Sequence, residues 1–305
     1  MMRTEPLISV VIPAYNYAET LQRAVESVLV QLDDAPAELI VIDDGSIDDT
    51  PQIIEALLGA QPSRFRALRQ ENGGSASVRN RGIRETRGSY LVFLDADDEM
   101  AQGALELLER HIADHAETRM VIGGHYAITS TGKRRVHLPQ ALPETPVERV
   151  RGYLLDKRLA LSNGACAMHR EVFSRAGYPE QFRSAEDIPV FTQALANYPC
   201  TVLAEPLALI HKHDDSLRHQ FSHAKAGGLA LVDEVFSPHR LGEEFQVLKD
   251  EFLVQRCLSL FRSAYLAGDV GAAKEFFHTA LRHDWRVLLN GSYARKALRL
   301  WLGHW

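Results

Sequence analysis

Residues 90–98 read Tyr90-Leu-Val-Phe-Leu-Asp-Ala-Asp-Asp98, an apolar run that ends in a cluster of carboxylates. The run reads as a strand, which places Asp95 and Asp97 at its carboxyl end. The preceding chain alternates short β-branched runs with longer helical patterns. Leu7-Ile-Ser-Val-Val-Ile12 is a buried strand, and residues 18–32 place Leu21, Val25, Val28, Leu29 and Leu32 at the spacing of an amphipathic helix. Leu39-Ile-Val-Ile42 is the next strand, followed by a helix over about 50–58, a strand near 65–69, a Gly-Gly-Ser loop and a helix near 76–86. The order βαβαβαβ predicts an α/β fold, a mostly parallel Rossmann-like sheet flanked by helices on both faces.

Beyond Ala101 the pattern is mixed. A helix to about Asp114 and strands near 120–126, 165–168, 201–203 and 208–212 are expected, around a stretch interrupted by Pro139, Pro143 and Pro146. From Phe221 the chain turns helical, with helices expected over 221–236, 243–267, 271–282 and 293–302. A soft boundary therefore separates residues 1–218 from a C-terminal helical extension, 219–305.

With 305 residues, 46% of them hydrophobic and 24% charged, the composition excludes disorder, collagen and disulfide-scaffold classes. No apolar run approaches the roughly 20 residues of a spanning helix. Cys166, Cys200 and Cys257 are widely spaced, and no signal-like apolar core opens the chain, so a reducing, cytoplasmic setting is expected. The net charge of −6 argues against duplex nucleic acid as a partner.

Ligands of open parallel sheets bind beyond the carboxyl ends of the strands. Here those ends are Pro13-Ala-Tyr-Asn16, Asp43-Asp-Gly-Ser46, Asn72-Gly-Gly74 and Asp95-Ala-Asp-Asp98, none of them a dinucleotide-binding or P-loop turn. Two readings fit the last. Asp95 and Asp97, separated by the small Ala96, can share a hard cation, Mg²⁺ or Mn²⁺, with substrate phosphates, or they can form a solvated acidic turn.

Taken together, Val11-Ile-Pro-Ala-Tyr-Asn16, Ile42-Asp-Asp-Gly-Ser-Ile-Asp-Asp-Thr50, Asn72-Gly-Gly-Ser-Ala-Ser-Val-Arg-Asn80, Phe93-Leu-Asp-Ala-Asp-Asp98 and Glu186-Asp187 resemble glycosyltransferase family 2. These are inverting nucleotide-sugar transferases of GT-A fold, and the resemblance spans about residues 6–218. It implies donor contacts from Pro13, Ala14, Tyr15, Asp44, Arg79, Asp95 and Ala96, with Asp44 accepting from the base, typically uracil. It also implies Asp97 as the direct ligand of Mn²⁺ or Mg²⁺. Asp187 becomes the general base that takes the acceptor hydroxyl proton, with Glu186 beside it. His213 matches the family's terminal His-x-x-Ser element and would complete the metal site, with His211 as runner-up. From the residues alone, Arg79 reads equally as a surface salt-bridge partner, and Glu186-Asp187 as an acidic helix cap. Asn163 and its neighbours are expected to meet the acceptor.

The processive synthases' Gln-x-x-Arg-Trp signature is missing, and Gln193 stands where many relatives carry Arg, which points to transfer of a single sugar from a UDP-linked donor. The acceptor implied is a glycan or lipid-linked glycan, as in bacterial lipopolysaccharide or exopolysaccharide synthesis. A nucleotidyltransferase would need a Gly-rich basic loop after the first strand, where this chain has Pro-Ala-Tyr-Asn; an inactive glycan-binding module should lack Asp97 or Asp187. The terminal segment gathers Trp285, Trp301 and Trp305 beside Arg282, Arg286, Arg295, Lys296 and Arg299. It fits either a peripheral contact with the inner face of an anionic membrane or a helix packed on the catalytic domain.

Overall fold

The computed structural model describes residues 5–212 and 216–302, and for 216–220 the backbone alone. Among these residues nine strands form one sheet: β1 (Ile8–Ala14), β2 (Ala37–Asp43), β3 (Arg66–Arg69), β4 (Tyr90–Phe93), β5 (Glu99–Met100), β6 (Met120–Ile128), β7 (Arg134–His137), β8 (Cys166–His169) and β9 (Cys200–His211). The order is 3-2-1-4-8-6-9-5, with β7 paired to β6 off this path. β3, β2, β1 and β4 run parallel, as expected. β8 is antiparallel to both of its neighbours, β4 and β6, and so joins the parallel half to the remainder of the sheet.

The helices are α1 (Leu21–Leu29), α2 (Thr50–Ala60), α3 (Ser75–Glu85), α4 (Ala104–Asp114), α5 (Pro146–Leu154), α6 (Asp187–Asn197), α7 (Ser216–Gly227), α8 (Ala230–Val235), α9 (Lys249–Ala267), α10 (Val270–His283) and α11 (Gly291–Leu302). Strand alternation decides what covers each face. Ile8, Val10 and Ile12 of β1 pack with Leu21 and Val25 of α1 and Leu105 and Leu108 of α4. Val11 points the other way, into a cluster with Val78 of α3 and Val190 and Phe191 of α6. Leu231, Val235, Phe245 and Phe252 join that second cluster, whereas α9, α10 and α11 close a third around Phe261, Phe277 and Leu300. Residue 218, after which the boundary is expected, lies within α7.

Four expectations are corrected. The two strands expected at 201–203 and 208–212 are one, β9, because its Pro206 sits opposite Gly124 at a register irregularity that lets the strand carry a proline without ending. The helix expected over 221–236 breaks between α7 and α8, where Gly228 takes φ +45°. The helix expected over 243–267 opens with a 3₁₀ turn, Glu243–Leu248, before α9. The proline-interrupted stretch contains α5, whose Pro146 lies in the first turn and whose Thr145 and Glu148 form a reciprocal capping box.

α3 approaches β1 at Gly82, where a Cβ would lie 2.6 Å from Val11 Cγ1. Gly82→Ala should therefore cost about 1–3 kcal/mol in urea unfolding. Gly59→Ala, in α2 with open space around it, should be neutral or gain about 0.5–1 kcal/mol. Equal effects from the two substitutions would show that the α3–β1 approach is not tight.

Candidate active site

The carboxyl ends of β1, β2 and β4 and the start of α3 enclose a cavity of about 540 Å³. Pro13, Ala14, Tyr15, Asp44, Arg79, Asp95 and Ala96 all line it, so the structure brings together every residue expected on the donor side. Asp44 is buried and fastens the glycine loop: Oδ1 accepts from the Gln70 side-chain amide (2.8 Å) and Gly73 N–H (2.9 Å), and Oδ2 from Gly74 N–H (2.7 Å). Asp43 accepts from Ser46 N–H at 2.9 Å and so closes its own turn.

Arg79 projects from the first turns of α3 and is buried, not a surface partner. Its Nη1 donates to Glu186 Oε1 at 2.6 Å and its Nη2 to Asp95 Oδ1 at 2.9 Å. Ser75, one helical turn earlier, donates to the same Glu186 oxygen at 2.6 Å. The guanidinium stands over the Tyr178 ring, 5.3 Å from its centroid, and the Tyr178 hydroxyl donates to Asn163 Oδ1 at 2.9 Å. Burial disfavours the charge on Arg79, yet Asp95, Glu186 and Asp187 reverse the balance and hold the proton more firmly than usual.

A second cavity of about 400 Å³, lined by Asn163, Glu186 and Asp187, adjoins the first; Arg79, Asp95, Arg183 and His223 line both. The two acids that open α6 differ in state. Burial works against ionisation of Glu186, but Arg79 and the Ser75 hydroxyl outweigh it and leave its carboxyl below the ordinary value. At Asp187, burial and the neighbouring Glu186 charge prevail over Arg79 and push the carboxyl up to about 6. Ala185, just before them, takes the left-handed conformation at φ +64°, an uncommon state for a residue with a Cβ and one that concentrates at functional sites.

The acidic strand end is a turn, not an extended pair. Asp98 N–H donates to Asp95 O at 3.0 Å, so the two-residue alternation of a strand is lost. Asp95 lines the large cavity, whereas Asp97 lines a neighbouring one of about 320 Å³ on the Tyr17 side. Asp98 is buried and accepts from His211 N–H at 2.9 Å; burial and the charges of Asp95 and Asp97 push it up to about 8. The His211 ring is committed to Glu99, at 2.8 Å, and His213 lies outside the described residues. Among the described residues no group of three or more His, Cys, Asp or Glu side chains is arranged to hold a metal ion.

Ser75, Tyr17, Tyr178, Arg183 and His223 were not anticipated. Two of these left a signal: Ser75 lies four residues before Arg79 on one helix face, and Arg183 lies three residues before Glu186. The others reach the site through the tertiary fold.

The family model of glycosyl transferase family 2 matches residues 9–177. The chain belongs to glycosyltransferase family 2. The family-2 match takes in every donor-side residue named above, each on or just after β1, β2, β4 or α3. It is 31% identical over 194 residues to the uncharacterized glycosyltransferase EpsJ of Bacillus subtilis, covering 60% of this chain and 54% of EpsJ. The chain spans about half or less of the length of the curated relatives it matches. Among solved structures, S. aureus TarS (residues 1–349) in complex with UDP-GlcNAc superposes with a TM-score of 0.57 at 17% identity, over 90% of each chain. The mannosyltransferase PcManGT of Pyrobaculum calidifontis, in complex with GDP-Man and Mn²⁺, gives 0.58 at 16%, over 99% of this chain and 87% of that one. At these identities both likenesses establish the GT-A fold of this family-2 chain.

Removing one partner of a buried ion pair strands the other charge. Arg79→Met should lower stability by about 3–5 kcal/mol in chemical denaturation, and adding Glu186→Gln should restore part of the loss. A loss under about 0.5 kcal/mol would show that the bridge contributes little.

Proposed function

We propose that the chain is an inverting glycosyltransferase that moves one sugar from a nucleotide-sugar donor, a UDP-sugar, to a hydroxyl of a glycan or lipid-linked glycan in cell-surface polysaccharide assembly. The observation that carries this reading is the pair of adjoining cavities: the larger, walled by the strand ends, suits a nucleoside diphosphate, and the smaller presents Asp187. In this scheme Pro13, Ala14 and Tyr15 wall the base and ribose. Asp44 positions the Gly73-Gly74 loop and has acceptor capacity left for a base N–H. Asp187 takes the acceptor hydroxyl proton, the acceptor oxygen bonds to the anomeric carbon, and the bond from that carbon to the phosphate oxygen breaks with its electron pair leaving on the nucleoside diphosphate. Attack from the side opposite the leaving group inverts the anomeric centre. Glu186, held by Arg79 and Ser75, is a positioning residue beside that base.

The acidic turn, where the charges of Asp95 and Asp97 raise Asp98 and all three raise the Tyr17 hydroxyl, suits a hard divalent cation whose remaining oxygen donors come from the substrate. Asp97, with His213 and donor phosphate oxygens, would hold Mn²⁺ or Mg²⁺, which when bound would neutralise the diphosphate. The PcManGT complex with Mn²⁺ supports a divalent metal in this reading.

The lipid-linked form of the acceptor is supported by the helical extension. No helix of the described residues is long and apolar enough to cross a membrane. Trp285 and Leu289 are 66% and 72% exposed, close in sequence to the basic Arg282 and Arg286, and Trp301 is half-exposed although it packs edge-on against Phe277. Wild type should therefore co-sediment with anionic vesicles and the double variant Trp285→Ser/Leu289→Ser should do so several-fold less; equal binding would remove the membrane contact.

Asp187→Asn should reduce turnover by at least about 10³-fold while UDP affinity, read by calorimetry, stays within about threefold. Because the base acts deprotonated, wild-type kcat/KM should fall as pH drops through about 6. Unchanged turnover in the variant would remove Asp187 as the base.

A further inference from the structure

The junction between the two cavities carries positive charge that the scheme above leaves unassigned. Arg79, Arg183 and His223 line both cavities, but both Nη groups of Arg79 are committed to Asp95 and Glu186. Arg183 is exposed, and its one hydrogen bond among the described residues is a long contact, 3.3 Å, from Nη1 to the neutral Asn72 side-chain carbonyl. It therefore holds most of its five N–H donors free, in the fork that suits phosphate oxygens.

The opposite wall makes room for this side chain. Gly74 has φ +86°, and a Cβ there would fall 2.2 Å from Arg183 Nη1 and 3.0 Å from its Cδ. The guanidinium thus lies directly over the glycine loop whose N–H groups face Asp44, at the mouth of the larger cavity. In sequence it stands three residues before Glu186 and four before Asp187, so the loop that delivers the base also delivers a cation to the junction. Asp97 lines a different cavity, on the Tyr17 side.

On the donor reading above, on which this inference rests, we propose that Arg183 contacts the leaving phosphate of the donor from the acceptor side. As the acceptor oxygen bonds to the anomeric carbon, the electron pair of the breaking bond collects on the phosphate oxygen. The Arg183 guanidinium donates to that phosphate and offsets the added charge, while His223 adds a second polar group at the same junction. Such a contact strengthens as the bond breaks, so its loss lowers kcat more than it raises KM.

The test compares ligands that differ only in phosphate. Calorimetry with UDP against uridine, and with GDP against guanosine, is run on wild type, Arg183→Gln and Arg183→Lys, with donor turnover measured alongside. Arg183→Gln should bind the nucleoside diphosphate about tenfold more weakly, leave the nucleoside unchanged and lose about 10²-fold in kcat, with Arg183→Lys in between. Unchanged diphosphate affinity and turnover in Arg183→Gln would overturn the inference and leave the donor reading standing. Equal losses for nucleoside and nucleoside diphosphate would also overturn it, since they indicate a shape change and not a lost phosphate contact. Wild type that binds neither UDP nor GDP would overturn the donor reading itself.

Discussion

The site depends on one buried guanidinium. Arg79 reaches from α3 to Asp95 at the end of β4 and to Glu186 at the start of α6, and so ties the parallel half of the sheet to a helix that arrives more than a hundred residues later in the chain. Two carboxylates this close in a partly dehydrated site would repel each other and spread apart without a cation between them. Tyr178 beneath the guanidinium and Ser75 beside Glu186 complete the packing, which keeps the bridge in one geometry.

The bridge also separates the chemistry of two adjacent acids. Glu186 receives Arg79 and Ser75 and is held ionised, and that charge, with burial, raises its neighbour Asp187 to about 6. A carboxyl with that value is mostly deprotonated at neutral pH, yet it is a stronger base than an ordinary aspartate. The left-handed Ala185 turns the chain so that the paired acid and the raised acid both reach the cavity beside the donor site. Fold and reactivity are thus linked through the same few contacts.

What could be read from the sequence follows from how local each feature is. β1, β2 and β4 are buried, β-branched or apolar runs, and their ends converge because parallel strands with helical crossovers finish at one edge; Pro13, Asp44 and Asp95 were legible as neighbours for that reason. β5 has two residues, and β7, Arg134-Arg-Val-His137, has one apolar side chain and no buried residue, so neither leaves a pattern. α5 left one, the Thr145–Glu148 capping box, which the surrounding prolines obscured. The sequence leaves the Asp95–Asp98 stretch open between a shared cation site and an acidic turn, and the backbone hydrogen bond from Asp98 to Asp95 makes it a turn. Arg79 and Glu186 were each legible as site residues but their pairing was not, since that contact exists only in the tertiary fold. His223 was illegible for the same reason, whereas Arg183 stands three residues before Glu186 on the same loop.

The central claim is that Arg79 assigns different protonation behaviour to Glu186 and Asp187. Carboxyl ¹³C NMR titration of the full chain, with the two side chains assigned by Glu186→Gln and Asp187→Asn, measures this directly. The account predicts that Asp187 titrates near 6 and Glu186 below the ordinary glutamate value. Glu186 titrating above Asp187, or both titrating together at the ordinary carboxylate value, would contradict it.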